Sequence, residues 1–339
     1  MSDCRNGMET SFPIIESILS PQALVENVLP DFQIGNVIAC QFFSYGFNHT
    51  YIVKTENGNT YYARIYRLLW RNLDEIRCEL DVLIYLNRKN CAAAMPCSRK
   101  DGSYYCAIDA PEGRRYMVLF CEAPGSELSY ENQPQTIAYQ YGQAVARLHD
   151  ALDGFTSPYP RFFIDLSHLI EQPLHYIEPF LSPRTNEWLF LKTFANTICR
   201  KILEIPVNAL EQGFCHGDLQ GYHANITKDG TITFYDFDCG GHGFRAYDLA
   251  VFLWFAQLEK QEHLRWVPFL QGYQDIHPLN ALDIASIPLF LSARYIWHMG
   301  IRAQNSLTWG CDHLSKSYFD KQLNLLHDIN SKYFSKKPM

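Results

Sequence analysis

The sequence carries no excess of positive charge. Its 29 Lys and Arg residues stand against 36 Asp and Glu, for a formal charge of −7. Duplex nucleic acid is held by neutralising phosphates with a basic face, so no nucleic-acid partner is expected. Long apolar runs are missing as well: the densest, residues 249–256, falls far short of a bilayer-spanning helix, and no membrane partner is expected. None of the 11 cysteines forms a C-x-x-C pair, and their number is odd. Cys91, Cys97, Cys106 and Cys121 cluster in sequence, but at intervals that fit no zinc site. Reduced, mostly buried thiols in a cytoplasmic protein are the simplest reading. The first twelve residues include Asp3 and Glu9 and lack the basic start and apolar core of a secretory leader. Internal repeats and low-complexity tracts are absent.

What remains is a chain of 339 residues, 47% apolar and 14% aromatic, enough for one large domain or two smaller ones sharing a buried interface. Ser20-Pro21 ahead of Leu24, Val25 and Val28 reads as a capped helix, closed by Pro30. Aromatic and β-branched residues then alternate over residues 34–54, Asn57-Gly58 signals a hairpin turn, and residues 60–66 form the return strand. Ile76, Leu80, Leu83 and Ile84 give a helical period over residues 74–88. Two more strands are expected at residues 104–108 and 115–121.

After Pro124-Gly125 the pattern becomes helical, at residues 135–150, 186–204 and from Tyr247 onward. A single strand pair interrupts it, residues 222–227 and 231–237 around Asp229-Gly230. The expected division is an N-terminal extension (1–31), a sheet-rich lobe (32–122), a hinge (123–128) and a mostly helical lobe (129–335).

Three segments carry chemistry. Phe214-Cys215-His216-Gly217-Asp218-Leu219-Gln220 is followed, across the strand pair, by Phe234-Tyr235-Asp236-Phe237-Asp238 and then by Gly243-Phe244-Arg245-Ala246-Tyr247-Asp248-Leu249-Ala250. Phosphoryl transfer asks for a carboxylate to orient or deprotonate the acceptor hydroxyl, oxygen ligands for magnesium, and cations on the phosphates. The pattern His-Gly-Asp, hairpin, Asp-x-Asp, Tyr-Asp-Leu-Ala supplies the first two in one order and spacing.

That pattern resembles the aminoglycoside phosphotransferase and choline kinase family, and most of all its stress response kinase A and type II homoserine kinase branches. The resemblance implies an α+β, two-lobed protein-kinase-like fold, with a β-rich N-terminal lobe and a mostly helical C-terminal lobe. It also implies an ATP-dependent phosphotransferase with a hydroxyl-bearing acceptor: an amino-alcohol, an aminoglycoside or a similar metabolite. A Ser/Thr protein acceptor and a nucleotide-binding pseudokinase stay open as alternatives. ATP and Mg2+ are the implied cofactors, with Mn2+ as a further option.

Residue by residue, the resemblance makes Asp218 the catalytic carboxylate, Asp236 a magnesium ligand and Asp238 either a second ligand or a turn residue. For Asp218 and Asp236 the plain alternative is a turn aspartate beside a strand. His216 is implied to be scaffold, and Asp248 to buttress the loop that holds Asp218. Where the family places a metal-binding Asn, five positions after the catalytic Asp, this chain has His223, with Asn225 two further on. In an extended segment residues two apart share a face, and magnesium prefers oxygen, so Asn225 is the expected ligand over His223.

Tyr45-Gly46-Phe47-Asn48 resembles the short loop that covers the nucleotide. Arg64 takes the place of the phosphate-binding Lys, with Glu79, or else Glu75, as its partner, and the backbone of Phe120, Cys121 and Glu122 lies where adenine would pair. A surface strand arginine and a solvated helix face are the alternatives for Arg64 and Glu79. Arg294, Trp297 and His298 lie on a late helix that lines the acceptor pocket in related kinases. Trp254, Trp266, Trp297 and Trp309 suggest a cation–π wall for an amine, or simply core. Oligomeric state is not legible.

Overall fold

Ser20 opens the first helix as its sequence requires: the hydroxyl accepts from Ala23 N, and Pro21 sits in the first turn of α1 (Pro21–Asn27). Such a cap contributes about 1 kcal/mol. The structure, a computed structural model, describes residues 12–335. Its contacts divide into two units, one of Met1–Asn72 with Pro96–Glu122 and one of Leu73–Met95 with Ala123–Met339.

The first unit is an antiparallel five-stranded sheet in the order β1-β2-β3-β5-β4. Its strands are β1 (Val37–Tyr45), β2 (Asn48–Thr55), β3 (Thr60–Tyr66), β4 (Tyr105–Ala110) and β5 (Gly113–Cys121). Alternation along β2 and β3 sends Tyr51, Val53, Ala63 and Ile65 into a core with Leu24, Leu29, Met117 and Leu119. At the end of this sheet a buried polar group replaces apolar packing. Arg115 Nη2 donates to His49 Nδ1 (3.2 Å) and Nε to the Tyr66 carbonyl (2.9 Å), while His49 Nε2 faces Glu16 Oε1 at 3.1 Å.

The second unit begins with α2 (Leu73–Arg88), a helix that the sequence pattern alone assigns to the sheet-rich lobe. The chain beyond α2 explains the difference: Ala92 and Ala94 pair through their backbones with Phe234, and Arg161 Nη1 donates to the Glu75 carbonyl (2.6 Å). The helices that follow are α3 (Pro134–Ala151), α4 (Gln172–Leu181), α5 (Thr185–Leu203), α6 (Arg245–Leu258), α7 (Glu262–Gln274), α8 (Ala281–Gln304), α9 (Ser306–Trp309) and α10 (Lys316–Ile329). Two small sheets accompany them. In one, β6 (Ser126–Glu127) pairs with β9 (Ala224–Ile226), which pairs with β10 (Ile232–Phe234); in the other, β7 (Phe163–Ile164) and β8 (Gln212–Cys215) flank β11 (Gly241–Phe244).

Every residue of α6 from Arg245 to Ala256 is buried, so the densest apolar run of the sequence is the core helix of this unit. Each fully buried Leu, Val or Phe on it contributes roughly 1.5–3 kcal/mol. Helices α3 and α7 touch backbone to backbone: a Cβ on Gly142 would lie 2.0 Å from the Phe269 carbonyl oxygen, and one on Gly272 2.0 Å from that of Tyr139. Among the described residues no helix is long and apolar enough to cross a membrane.

Candidate active site

The segment after β8 cannot continue as a strand. Gly217 takes a φ of +79°, and a Cβ there would lie 2.1 Å from the Cys239 carbonyl oxygen, so only glycine fits. The turned backbone is held from below by Asp248 on α6, whose Oδ2 accepts from His216 N and Oδ1 from Gly217 N, both at 2.8 Å. His149 on α3 reaches the same carboxylate through Nε2 (3.0 Å), while its Nδ1 meets Tyr273 OH (2.8 Å). His216 is buried, and burial pulls its imidazole below the ordinary range. A neutral ring then donates from Nε2 to the Tyr235 carbonyl (3.0 Å) and accepts at Nδ1 from Asp218 N (3.3 Å). His216 and Asp248 are thus scaffold for the loop.

Asp218 emerges from this loop nearly buried, at 7% exposure. Its Oδ1 accepts from Arg294 Nη2 of α8, and its Oδ2 from Gln220 Nε2 (3.1 Å). Burial pushes the carboxyl up, but Arg294, with His223 and His216 nearby, outweighs it and holds the group below the usual carboxylate value. Arg294 is itself buried. Its guanidinium lies between the rings of Trp254 (4.4 Å) and Trp297 (4.6 Å), and Nη1 donates to the Gly217 carbonyl (3.2 Å) and Tyr247 OH (3.3 Å).

The cation–π wall suggested by the tryptophans therefore exists in part, and its cation is the protein's own Arg294. Arg294, expected from sequence as an acceptor contact, is placed here on Asp218. Trp297 also donates from Nε1 to His168 Nε2 (3.2 Å). His298 is drawn down to about 3 by burial and by the nearby Arg294 and Arg302, so it is a neutral imidazole.

Asp236 follows β10 with φ +65° and ψ +60°, a left-handed conformation rare for a non-glycine residue. His223 stands between the two aspartates: Nδ1 is 3.4 Å from Asp218 Oδ2, and Nε2 is 3.8 Å from Asp236 Oδ2. Nδ1 also lies 3.0 Å from the Asp218 carbonyl. Asn225 does not share this face. Its Nδ2 donates to the Ala123 carbonyl (2.8 Å), and its backbone pairs with Thr233 and Glu127. The premise that residues 223 and 225 share one face of an extended segment does not hold, because β9 begins only at Ala224. His223 closes a turn on Gln220, so the two-residue alternation does not extend to it.

Asp238 is buried in the turn beyond Asp236. Arg161 fastens that turn with bonds to the carbonyls of Gly240 (2.7 Å), Phe237 (3.3 Å) and Asp238 (2.5 Å). Nothing local marks Arg161 in the sequence, since it lies outside any regular element and these bonds go to carbonyl groups. Among the described residues no group of three His, Cys, Asp or Glu side chains is spaced to enclose a metal. Asp236 and His223 alone could furnish only part of a coordination shell. Glu79 is fully buried on α2, which removes the solvated helix face as its explanation.

In the first unit, Gly46 and Phe47 form the tip of the β1–β2 hairpin. Phe47 stacks on Trp70 (4.9 Å between ring centres), Arg67 Nε donates to the Phe47 carbonyl (2.8 Å), and Asn48 Oδ1 accepts from Arg67 N (3.3 Å). Tyr45 OH donates to Glu16 (2.7 Å). Arg64 lies over the Phe120 ring at 4.8 Å. Phe120 and Cys121 are at the end of β5, paired with Tyr62 and Tyr61, and Glu122 N donates to the Thr60 carbonyl (3.3 Å).

Residues 40–281 match the model of the phosphotransferase enzyme family. An uncharacterized protein of Deinococcus radiodurans is 35% identical over 327 residues, covering 95% of this chain and 94% of that protein. Among solved structures, an amicoumacin kinase in complex with AMP-PNP, Ca2+ and Ami superposes with a TM-score of 0.77 at 19% identity, over 93% of this chain and 94% of the other. A microcompartment-associated aminopropanol kinase gives 0.73 at 21% identity, over 91% and 95%. These likenesses place the α+β architecture among kinase-like folds. The chain belongs to the phosphotransferase enzyme family, as an ATP-dependent phosphotransferase.

Proposed function

We propose that this enzyme moves the γ-phosphate of ATP onto a hydroxyl of a small molecule, with Asp218 aiming that hydroxyl. The observation that carries this reading is the convergence of Asp218 and Asp236 on His223, within 3.4 and 3.8 Å. In the transfer, the acceptor oxygen bonds to the γ-phosphorus, the bond to the β–γ bridging oxygen breaks, ADP leaves, and the hydroxyl proton passes to Asp218. A carboxylate held below its ordinary range by Arg294 is a weak base. Its first task is orientation, and it takes the proton late, as a loose transition state allows.

Asp236 and His223 are the residues that would hold a divalent ion, with Asp238 as a further carboxylate in the same segment. Such an ion, when bound, neutralises charge on the β- and γ-phosphates. One carboxylate with one imidazole suits manganese better than magnesium. Arg64 is the proposed phosphate cation. Tyr45, Gly46, Phe47 and Asn48 would cover the phosphates, and the backbone of Phe120, Cys121 and Glu122 would meet adenine. The named relatives, kinases of amicoumacin and of aminopropanol, support a small-molecule acceptor over a protein one.

The test is turnover of labelled ATP by purified protein against amino-alcohols, aminoglycosides and generic protein substrates, with Mg2+ and with Mn2+. A labelled small molecule, lost in Asp218→Asn while ATP still binds, supports the proposal. Label appearing only on protein would replace the acceptor class, and ATP binding without any transfer would make the chain a pseudokinase.

A further inference from the structure

Four cysteines belong to the core of the first unit or pack against it: Cys40, Cys97, Cys106 and Cys121. Two of them touch. Cys97 Sγ and Cys121 Sγ are 3.4 Å apart, at the separation of a sulfur–sulfur hydrogen bond. The contact rests on fixed backbone at both ends. Cys121 closes β5, where it pairs with Tyr61 of β3. Cys97 lies in a short segment laid along the same strand: Pro96 bridges Phe120, Cys97 N donates to the Leu119 carbonyl (2.7 Å), and the Ser98 carbonyl accepts from Gln33 N (3.0 Å). The backbone at both positions is therefore fixed, and only side-chain rotation moves one sulfur relative to the other.

We propose that Cys97 and Cys121 form an oxidative modification site, a dithiol that hydrogen peroxide closes to a disulfide beside the end of β5. A disulfide bond is about 2 Å long, so the sulfurs need to approach by only roughly 1.4 Å, a side-chain adjustment. Burial pushes the thiols of Cys40 and Cys106 up to about 11, which keeps them inert. Cys121 behaves oppositely. Its hydrogen bond with Cys97 draws it down against its burial, and it is only half-buried where Cys97 is buried. As the more accessible sulfur, Cys121 is the thiolate that reacts first, and Cys97 the thiol that resolves.

The chemistry balances in two steps. The Cys121 thiolate attacks one peroxide oxygen, the O–O bond breaks, and hydroxide leaves a sulfenic acid on Cys121. Cys97 then attacks that sulfur, the S–O bond breaks, and water departs with the remaining proton. The two thiols together lose two electrons and two protons, and peroxide becomes two waters. On the reading of Phe120–Glu122 as the adenine-facing backbone, the disulfide fixes that backbone from its flank and alters nucleotide affinity.

The test treats the full chain with hydrogen peroxide, blocks residual thiols and maps cysteine peptides by mass spectrometry without reduction. The expected result is a linked pair of peptides containing Cys97 and Cys121, lighter by two hydrogens and formed before any loss of the Cys40 or Cys106 thiols. Cys97→Ser should leave Cys121 to run on to sulfinic acid, and Cys106→Ser should still form the link. Sulfinic acid on Cys121 of the unmodified sequence without a link, or Cys97 joined to Cys106, would overturn the proposal. ATP affinity, measured by calorimetry on reduced and oxidised protein, should differ several-fold. A link formed with equal ATP affinity in both forms would overturn the nucleotide consequence alone. The peptide map does not depend on the proposed activity, so failure of one is distinct from failure of the other.

Discussion

Arg294 of α8 and Asp218 of the loop after β8 share an ion pair almost out of reach of water, at 2% and 7% exposure. Two indole rings cover the guanidinium and exclude solvent from it. Removing one member of such a pair strands the other, at a typical cost of ~3–5 kcal/mol. Arg294→Ala should therefore lower the melting temperature. It should also release Asp218 upward from its depressed value, because burial is then opposed by His223, His216 and the Gln220 amide without the guanidinium.

The sign follows from linkage. With Arg294 present, the folded-state value of Asp218 lies below its unfolded one, so its contribution to stability is present above the unfolded value and is lost as pH falls through the folded one. In Arg294→Ala the acid limb of kcat/KM should move to higher pH. An unmoved limb with unchanged melting would show that Arg294 does not set the charge of Asp218. Arg294→Lys keeps a cation but loses the planar fork, and should fall between the two.

Much of this was legible in the sequence where local chemistry decides. The Ser20 cap, the Asn57-Gly58 turn and the helical period after Asp74 follow from residue type and spacing, whereas the expectations for His216, Asp218, Asp236 and Asp248 came from the family resemblance of the motifs that hold them. The return strand of the second hairpin stops at Phe234, three residues before its expected end, because Asp236 turns left-handed. Three features were not legible. The partner of Asp218 is 76 residues away on another helix, and a sequence does not show which buried arginine will meet which carboxylate. Arg161 acts through carbonyl groups, which carry no residue identity. The choice between His223 and Asn225 turned on where β9 begins, and strand ends are the least determined part of such a reading.

His223 and Asn225 make a direct test of the metal argument. The imidazole faces both aspartates, whereas the Asn225 amide is engaged with Ala123. Asn225→Ala should leave metal-dependent turnover within a few-fold of the parent, and His223→Ala should depress it by at least about tenfold. His223→Asn replaces imidazole with an oxygen donor and should raise the Mg2+ rate relative to the Mn2+ rate. Measuring kcat across a titration of each ion checks this. A collapse in Asn225→Ala with His223→Ala unaffected would restore the expectation drawn from sequence.

Gly217 offers a steric test. An added methyl would sit 2.1 Å from the Cys239 carbonyl oxygen, in a backbone conformation already unfavourable to alanine. The turn after Asp236 would have to give way, and with it the Gly217 N–H bond to Asp248. Gly217→Ala should cost at least ~2 kcal/mol in urea unfolding and should lower kcat more than the KM for ATP. Gly230→Ala is the control for handedness alone. Its φ is +86°, but nothing lies within 4 Å of the added carbon, so it should cost less and spare kcat.

His277 sets a pH dependence of stability away from the reaction. Its Nδ1 meets Asp150 Oδ1 at 2.6 Å and its Nε2 meets Glu211 Oε2 at 2.8 Å, so the doubly protonated ring satisfies two carboxylates from separate elements. Burial opposes the charge, but hydrogen bonds to Glu211 and Asp150 outweigh it and raise the imidazole above its ordinary value. For a group raised on folding, the stabilisation is complete below the unfolded value of about 6.5 and fades as pH climbs through the folded one. The urea midpoint should therefore decline over that interval in the parent protein. In His277→Gln, which keeps a polar side chain without a titrating charge, the decline should flatten. Parallel profiles for the two proteins would mean that the ring is neutral between its two acidic neighbours.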